Sequence, residues 1–175
     1  MKSPQFNERL GREDALILST RYAYADDEPA LEAGRRIKAG DYSRVHLTTI
    51  FKWKTKDRGK SRLTHNSDSQ IADALWLAVI AKEPRSAIAV LTGLSGIAVP
   101  VATAIATVIH PDTHTILDFR ALEALGNCSP DRSMTFYLKY LAHCTDLAAK
   151  WNLSLRQLDR ALWQWSKEQS QGDHV

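Results

Sequence analysis

Six basic side chains crowd into the segment Phe51 to Arg62 (FKWKTKDRGKSR), against Asp57 alone. That segment carries +5 and the rest of the chain sums to −2, so the formal net charge of +3 conceals one strongly basic stretch on a near-neutral body. A local excess of this size suits a polyanion, and an exposed loop of lysines and arginines with no specific partner is the other reading of the same run. Downstream, Leu91 to Leu125 (LTGLSGIAVPVATAIATVIHPDTHTILDFRALEAL) holds a glycine-centred turn, Leu94-Ser95-Gly96-Ile97-Ala98, and then Asp118 ahead of FRALEAL. An aspartate in that place can cap a helix or offer an ionised carboxylate at its head. Cys128 and Cys144 are too few for a disulfide framework or a four-thiolate metal site. His110 and His114 lie four apart across Pro111, off any common helical face and without a thiolate or paired acid nearby, so no metal and no organic cofactor is expected.

The elements that must position these residues are helical. Phe136, Tyr137, Tyr140, Leu141, Cys144, Leu147 and Ala148 recur at three and four residues, which predicts a helix over about 131–150 with Ser129 as cap and Pro130 in its first turn. Ser67 with Gln70, and Ser154 with Gln157, form capping boxes that open two more helices, the first running to about Lys82. Further helices are expected over Asn7 to Ser19, Pro29 to Lys38, Ser43 to Lys54, Pro84 to Leu91 and Val99 to Ile109. The last of these carries β-branched residues that also suit a strand, and Pro100 with its alanines favours helix. Ser86 to Ile109 is 24 residues without a charge, long enough to span a bilayer, but Gly93, Ser95, Gly96 and Pro100 break it into two short buried helices. Thr55 to Ser67 reads as a polar, mobile loop.

With 44% hydrophobic and 25% charged residues, eight glycines and six prolines, the composition excludes collagenous, low-complexity and disordered classes. The expectation is an all-α fold, one compact domain over 1–175 with about nine helices. MKSPQFNERLGRED has no apolar centre like that of a signal peptide, so a cytoplasmic protein without a membrane span is expected.

The order helix, hairpin, helix, aspartate at the head of a further helix resembles the helix-hairpin-helix superfamily of DNA glycosylases, which includes endonuclease III, the adenine glycosylases and the alkylpurine glycosylases. In that family a hairpin of the form L-P-G-hydrophobic-G precedes a helix, and an aspartate stands 22 residues after the first hairpin glycine. Gly96 to Asp118 has the same spacing of 22. The resemblance covers about residues 43–125, with helices flanking that core on both sides. It departs from the family at Ala98, where a second glycine is usual, and at Pro100, where bifunctional members carry a catalytic lysine. It also lacks the four-cysteine iron–sulfur loop.

The resemblance implies that Asp118 is the catalytic carboxylate and that Gly96, Ile97, Ala98 and Val99 anchor a DNA phosphate. Backbone N–H groups at a helix start bind phosphate without reading sequence. A carboxylate beside the strand can stabilise an oxocarbenium-like sugar and activate water once the base has left the stack. With proline at 100 there is no amine for a Schiff base, so a monofunctional glycosylase is implied, a monomer acting on duplex DNA that holds a modified or damaged base in base-excision repair. Lys52, Trp53, Lys54, Lys56, Arg58, Lys60 and Arg62 are the further DNA-contacting candidates, with a core position as the other reading of Trp53. Tyr22 and Tyr24 suit either stacking on a base or the edge of the core, and Arg120 suits phosphate, Asp118 or neither. Trp163 and Trp165 cannot both face the core of one helix, so one is exposed or covered by the N-terminal segment. The rival readings are a non-catalytic helix-hairpin-helix DNA-binding protein whose Asp118 is only a cap, and a helical protein-interaction domain that resembles the family by accident.

Overall fold

The computed structural model describes residues 5–24 and 26–172; the two ends of the expected 1–175 domain, 1–4 and 173–175, lie outside them. Nine α-helices and one 3-10 helix are present among the described residues, and no strand. The α-helices are α1 (Arg12–Thr20), α2 (Glu28–Lys38), α3 (Arg44–Thr55), α4 (Asp68–Ile80), α5 (Pro84–Thr92), α6 (Val99–Ile109), α7 (Phe119–Ala124), α8 (Met134–Trp151) and α9 (Leu155–Gly172), with the 3-10 turn Lys60–His65 between α3 and α4. The all-α expectation holds. Among the described residues no helix is long and apolar enough to cross a membrane. Contacts divide the chain into two units, one built from residues up to Tyr24 together with those from Thr115 on, the other from the middle of the chain up to His114.

In the middle unit α6 is the central element, and Ala102 to Ile109 are all buried. A helix apolar all round can only be stable as an interior element, which is why this stretch resembles a strand or a membrane segment when read alone. Thr103 and Thr107 stay in that interior by donating their hydroxyls to the carbonyls of Pro100 (2.9 Å) and Thr103 (2.7 Å). α2 packs on α6 through Gly34, where a Cβ would fall 2.1 Å from the Val108 carbonyl oxygen. Ile88, Ile105 and Ile109 are essentially solvent-free, each worth about 1.5–3 kcal/mol of burial.

In the other unit α9 is the shared partner of α1, α7 and α8. Its capping box is formed as expected, with the Ser154 amide donating to Gln157 Oε1 (2.9 Å) and the Gln157 amide to Ser154 Oγ (3.1 Å). Both Trp163 and Trp165 are half-buried, the first against Tyr22 and Tyr24 and the second under the Arg9 guanidinium, so the N-terminal segment covers both.

Three expectations need correction. α1 starts at Arg12 and not at Asn7, because the Asn7 amide donates to the Leu125 carbonyl (2.8 Å) and Phe6 stacks on His143 (4.9 Å), which holds the chain extended. α8 is capped by Ser133, whose Oγ accepts from the Phe136 amide, and not by Ser129. The loop at Thr55 to Ser67 is built: Lys56, Asp57 and Gly59 take left-handed φ, and the 3-10 turn that follows buries Leu63.

Candidate functional site

α5 and α6 are joined by a tight turn at 93–98. Leu94 and Ile97 are buried and closed on each other by the Ile97 amide donating to the Leu94 carbonyl (3.1 Å), and Gly96 at the apex has φ +85°. Ala98 is the N-cap of α6 and has no side-chain acceptor; its carbonyl takes the amides of Val101 and Ala102, both at 2.9 Å. Pro100 has no amide to offer. Among the described residues no hydrogen bond takes up the amides of Gly96, Ala98 and Val99, and all three residues are at least partly exposed. Of the four expected anchor residues, Ile97 therefore differs: its side chain is core and its amide is used inside the turn.

The end of the basic segment lies against this turn. Asn66, buried at the end of the 3-10 turn, accepts the Ser95 amide on Oδ1 (2.8 Å) and donates from Nδ2 to the Ser95 carbonyl (3.0 Å), a two-bond clasp across 29 residues of sequence. Arg44 fixes the other side of the 3-10 turn, donating to the carbonyls of Leu63 (3.3 Å) and Asn66 (2.6 Å) and pairing with Asp68 (2.5 Å). Neither residue stands out in the sequence; the one hint is that Asn66 directly precedes a capping box.

The basic side chains fan out from this frame. Lys52, Lys56, Arg58, Lys60 and Arg62 are exposed and Lys54 is half-buried. Lys60 pairs with Asp57 (3.7 Å) and Arg58 donates to the Thr55 carbonyl (3.1 Å). Trp53 is 8% exposed and packs with the core of α3. Its edge, with Lys52, Lys56, Asp26 and Pro29, lines a cleft of about 510 Å3. A polar notch of about 300 Å3 beside the turn is lined by His65, Gln70, Asp73 and Ser95.

Asp118 belongs to the other unit and is half-buried as N-cap of α7, Oδ1 accepting the Arg120 amide at 3.0 Å. The chain leading to it is tied from inside: Tyr140 donates its hydroxyl to the Ile116 carbonyl (3.2 Å), and burial raises that phenol's pKa well above its ordinary value, with the Asp118 charge among the groups adding to the shift. The Arg120 side chain turns to α9, where it donates to Ser166 Oγ and Ser170 Oγ, both at 3.2 Å. Tyr22 lies under the guanidinium groups of Arg156 (5.3 Å) and Arg160 (5.5 Å), at the edge of the same helix.

His110 ends α6 as its C-cap, and its ring stacks on His114 at 6.0 Å. Burial, and then the His110 charge, hold His114 down to about 4. Among the described residues no three His, Cys, Asp or Glu side chains are grouped to hold a metal ion. No family model, curated protein or solved structure matches the chain.

Proposed function

We propose that this chain is a monofunctional DNA N-glycosylase of the helix-hairpin-helix kind, releasing a damaged or modified base from duplex DNA. The observation that carries the reading is the set of amides at Gly96, Ala98 and Val99 that no hydrogen bond among the described residues takes up, with the Arg62 end of a +5 segment packed against the same turn. Unpaired backbone donors beside a cation match a phosphate, which accepts on several oxygens and carries the opposite charge. Such contacts position a strand and read no sequence.

Asp118 supplies the chemistry. As the bond between C1′ and the base nitrogen breaks, the electron pair leaves with the base, which takes a proton from solvent. The carboxylate stabilises the positive charge growing on the sugar, and the water that attacks C1′ gives its proton to Asp118. The products are a free base and an abasic site. Pro100 offers no amine, so the strand is not cleaved by a lyase step.

The capping bond from the Arg120 amide also suits the second reading, a DNA-binding protein in which Asp118 only starts α7. One assay separates the two: incubation with duplexes carrying a panel of modified bases, followed by alkali to reveal abasic sites. Cleavage that depends on Asp118 supports the enzyme, and DNA binding without any base release supports the module.

A further inference from the structure

Phe119, directly after Asp118, is 60% exposed, the most exposed Phe, Tyr or Trp side chain among the described residues. A lone exposed aromatic needs no explanation, but this one carries a cation that is itself anchored. The guanidinium of Arg120 lies over its ring at 5.1 Å and over the Trp163 ring at 5.5 Å, while two serine hydroxyls of α9 accept from the same arginine. Trp163 is itself wedged edge-on by Tyr22 and Tyr24, both at 5.3 Å, and Lys167 Nζ sits 5.4 Å over it. The Phe119 ring therefore has a cation against it and a packed aromatic cluster behind that cation, and more than half of its surface faces solvent.

We infer that Phe119 is a stacking platform for an unpaired nucleobase. A flat ring with a cation–π contact has less rotamer freedom to lose when a ligand arrives, and an aromatic face with a cation against it suits a base attached to phosphate better than it suits an aliphatic partner. Consecutive Cα atoms lie about 3.8 Å apart, so a base on Phe119 lies beside the lesion that Asp118 would attack. That last placement rests on the glycosylase reading; the stacking itself does not.

The probe is a duplex with 2-aminopurine opposite an abasic site, and the same duplex with 2-aminopurine paired to thymine as control. Wild-type protein is expected to quench the unpaired probe. Phe119→Leu is expected to lose the quenching and to bind that duplex about five- to a hundredfold more weakly, with an unchanged circular-dichroism melt, and Phe119→Trp to restore both. Absence of quenching by the wild type, or equal quenching and affinity in Phe119→Leu, overturns the platform even if the wild type releases bases from the lesion panel. Conversely, quenching that depends on Phe119 in a protein that releases no base overturns the glycosylase reading and leaves the platform standing.

Discussion

A Cβ built on Gly96 would lie 3.0 Å from Cβ of Arg62, and Gly96 adopts φ +85°, so the turn and the basic segment meet at a point where only glycine fits without movement. Gly96→Ala should cost about 1–2 kcal/mol from the left-handed backbone alone, and more if Arg62 resists displacement. Gly96→Asn separates the two effects, because asparagine tolerates that φ but carries the same Cβ. Thermal melts should place alanine below asparagine and asparagine below wild type; alanine melting with the wild type would mean that the turn relaxes freely.

Asp118 should show a split between stability and activity. Asparagine is as good an N-cap as aspartate, so Asp118→Asn should melt within a few tenths of a kcal/mol of wild type, whereas Asp118→Ala should lose about 1 kcal/mol. Both should lose base release, measured as alkali-labile sites, and both should still bind DNA. Base release surviving in a folded Asp118→Asn protein would sink the mechanism.

What the sequence made legible, and what it hid, follows from the range of the interactions involved. The capping boxes at Ser67 and Ser154 and both ends of α6 are set by residues within one turn of each other, and they are where local pattern places them. The start of α8 is misread for a local reason too. Asn127, Ser129 and Asp131 each accept the amide two residues on (3.0, 3.1 and 2.7 Å), a run of side-chain turns that competes with helix until Ser133. The order in Thr55 to Ser67 is not readable from local pattern, because Arg44 and the Asn66–Ser95 clasp act across long stretches of chain. Among the candidate residues, Gly96 and Asp118 stand out by their spacing in the sequence, while the surroundings of Phe119 depend on Arg120, Trp163 and serines of α9.

The exposed cations around the 3-10 turn predict a salt dependence. Replacing Arg58, Lys60 and Arg62 together with glutamine should weaken duplex binding and flatten the plot of log affinity against log salt, by about 0.9 for each phosphate that is no longer neutralised. Fluorescence anisotropy between low and moderate salt measures the slope directly. An unchanged slope would mean that this turn does not touch DNA, and that the amides of the α5–α6 turn bind without help from it.

His114 predicts an acid-sensitive fold. It is 3% exposed, its Nε2 has no hydrogen-bond partner among the described residues, and its pKa falls from 6.5 to about 4 through burial and the neighbouring His110. Between those values the unfolded chain holds a proton that the folded chain refuses, so stability is complete above about pH 6.5 and drains away as pH falls toward 4, by at most about 3 kcal/mol. Burial also lowers the pKa of His143, which adds to the same slope. Asp41, held at about 2 chiefly by its bond to His46, contributes only at lower pH. Melting points taken across this window should therefore fall with acidification, and His114→Leu, which cannot titrate, should flatten the fall. A wild-type melting point constant from pH 6.5 to 4 would show that the ring is hydrated or already protonated in the fold.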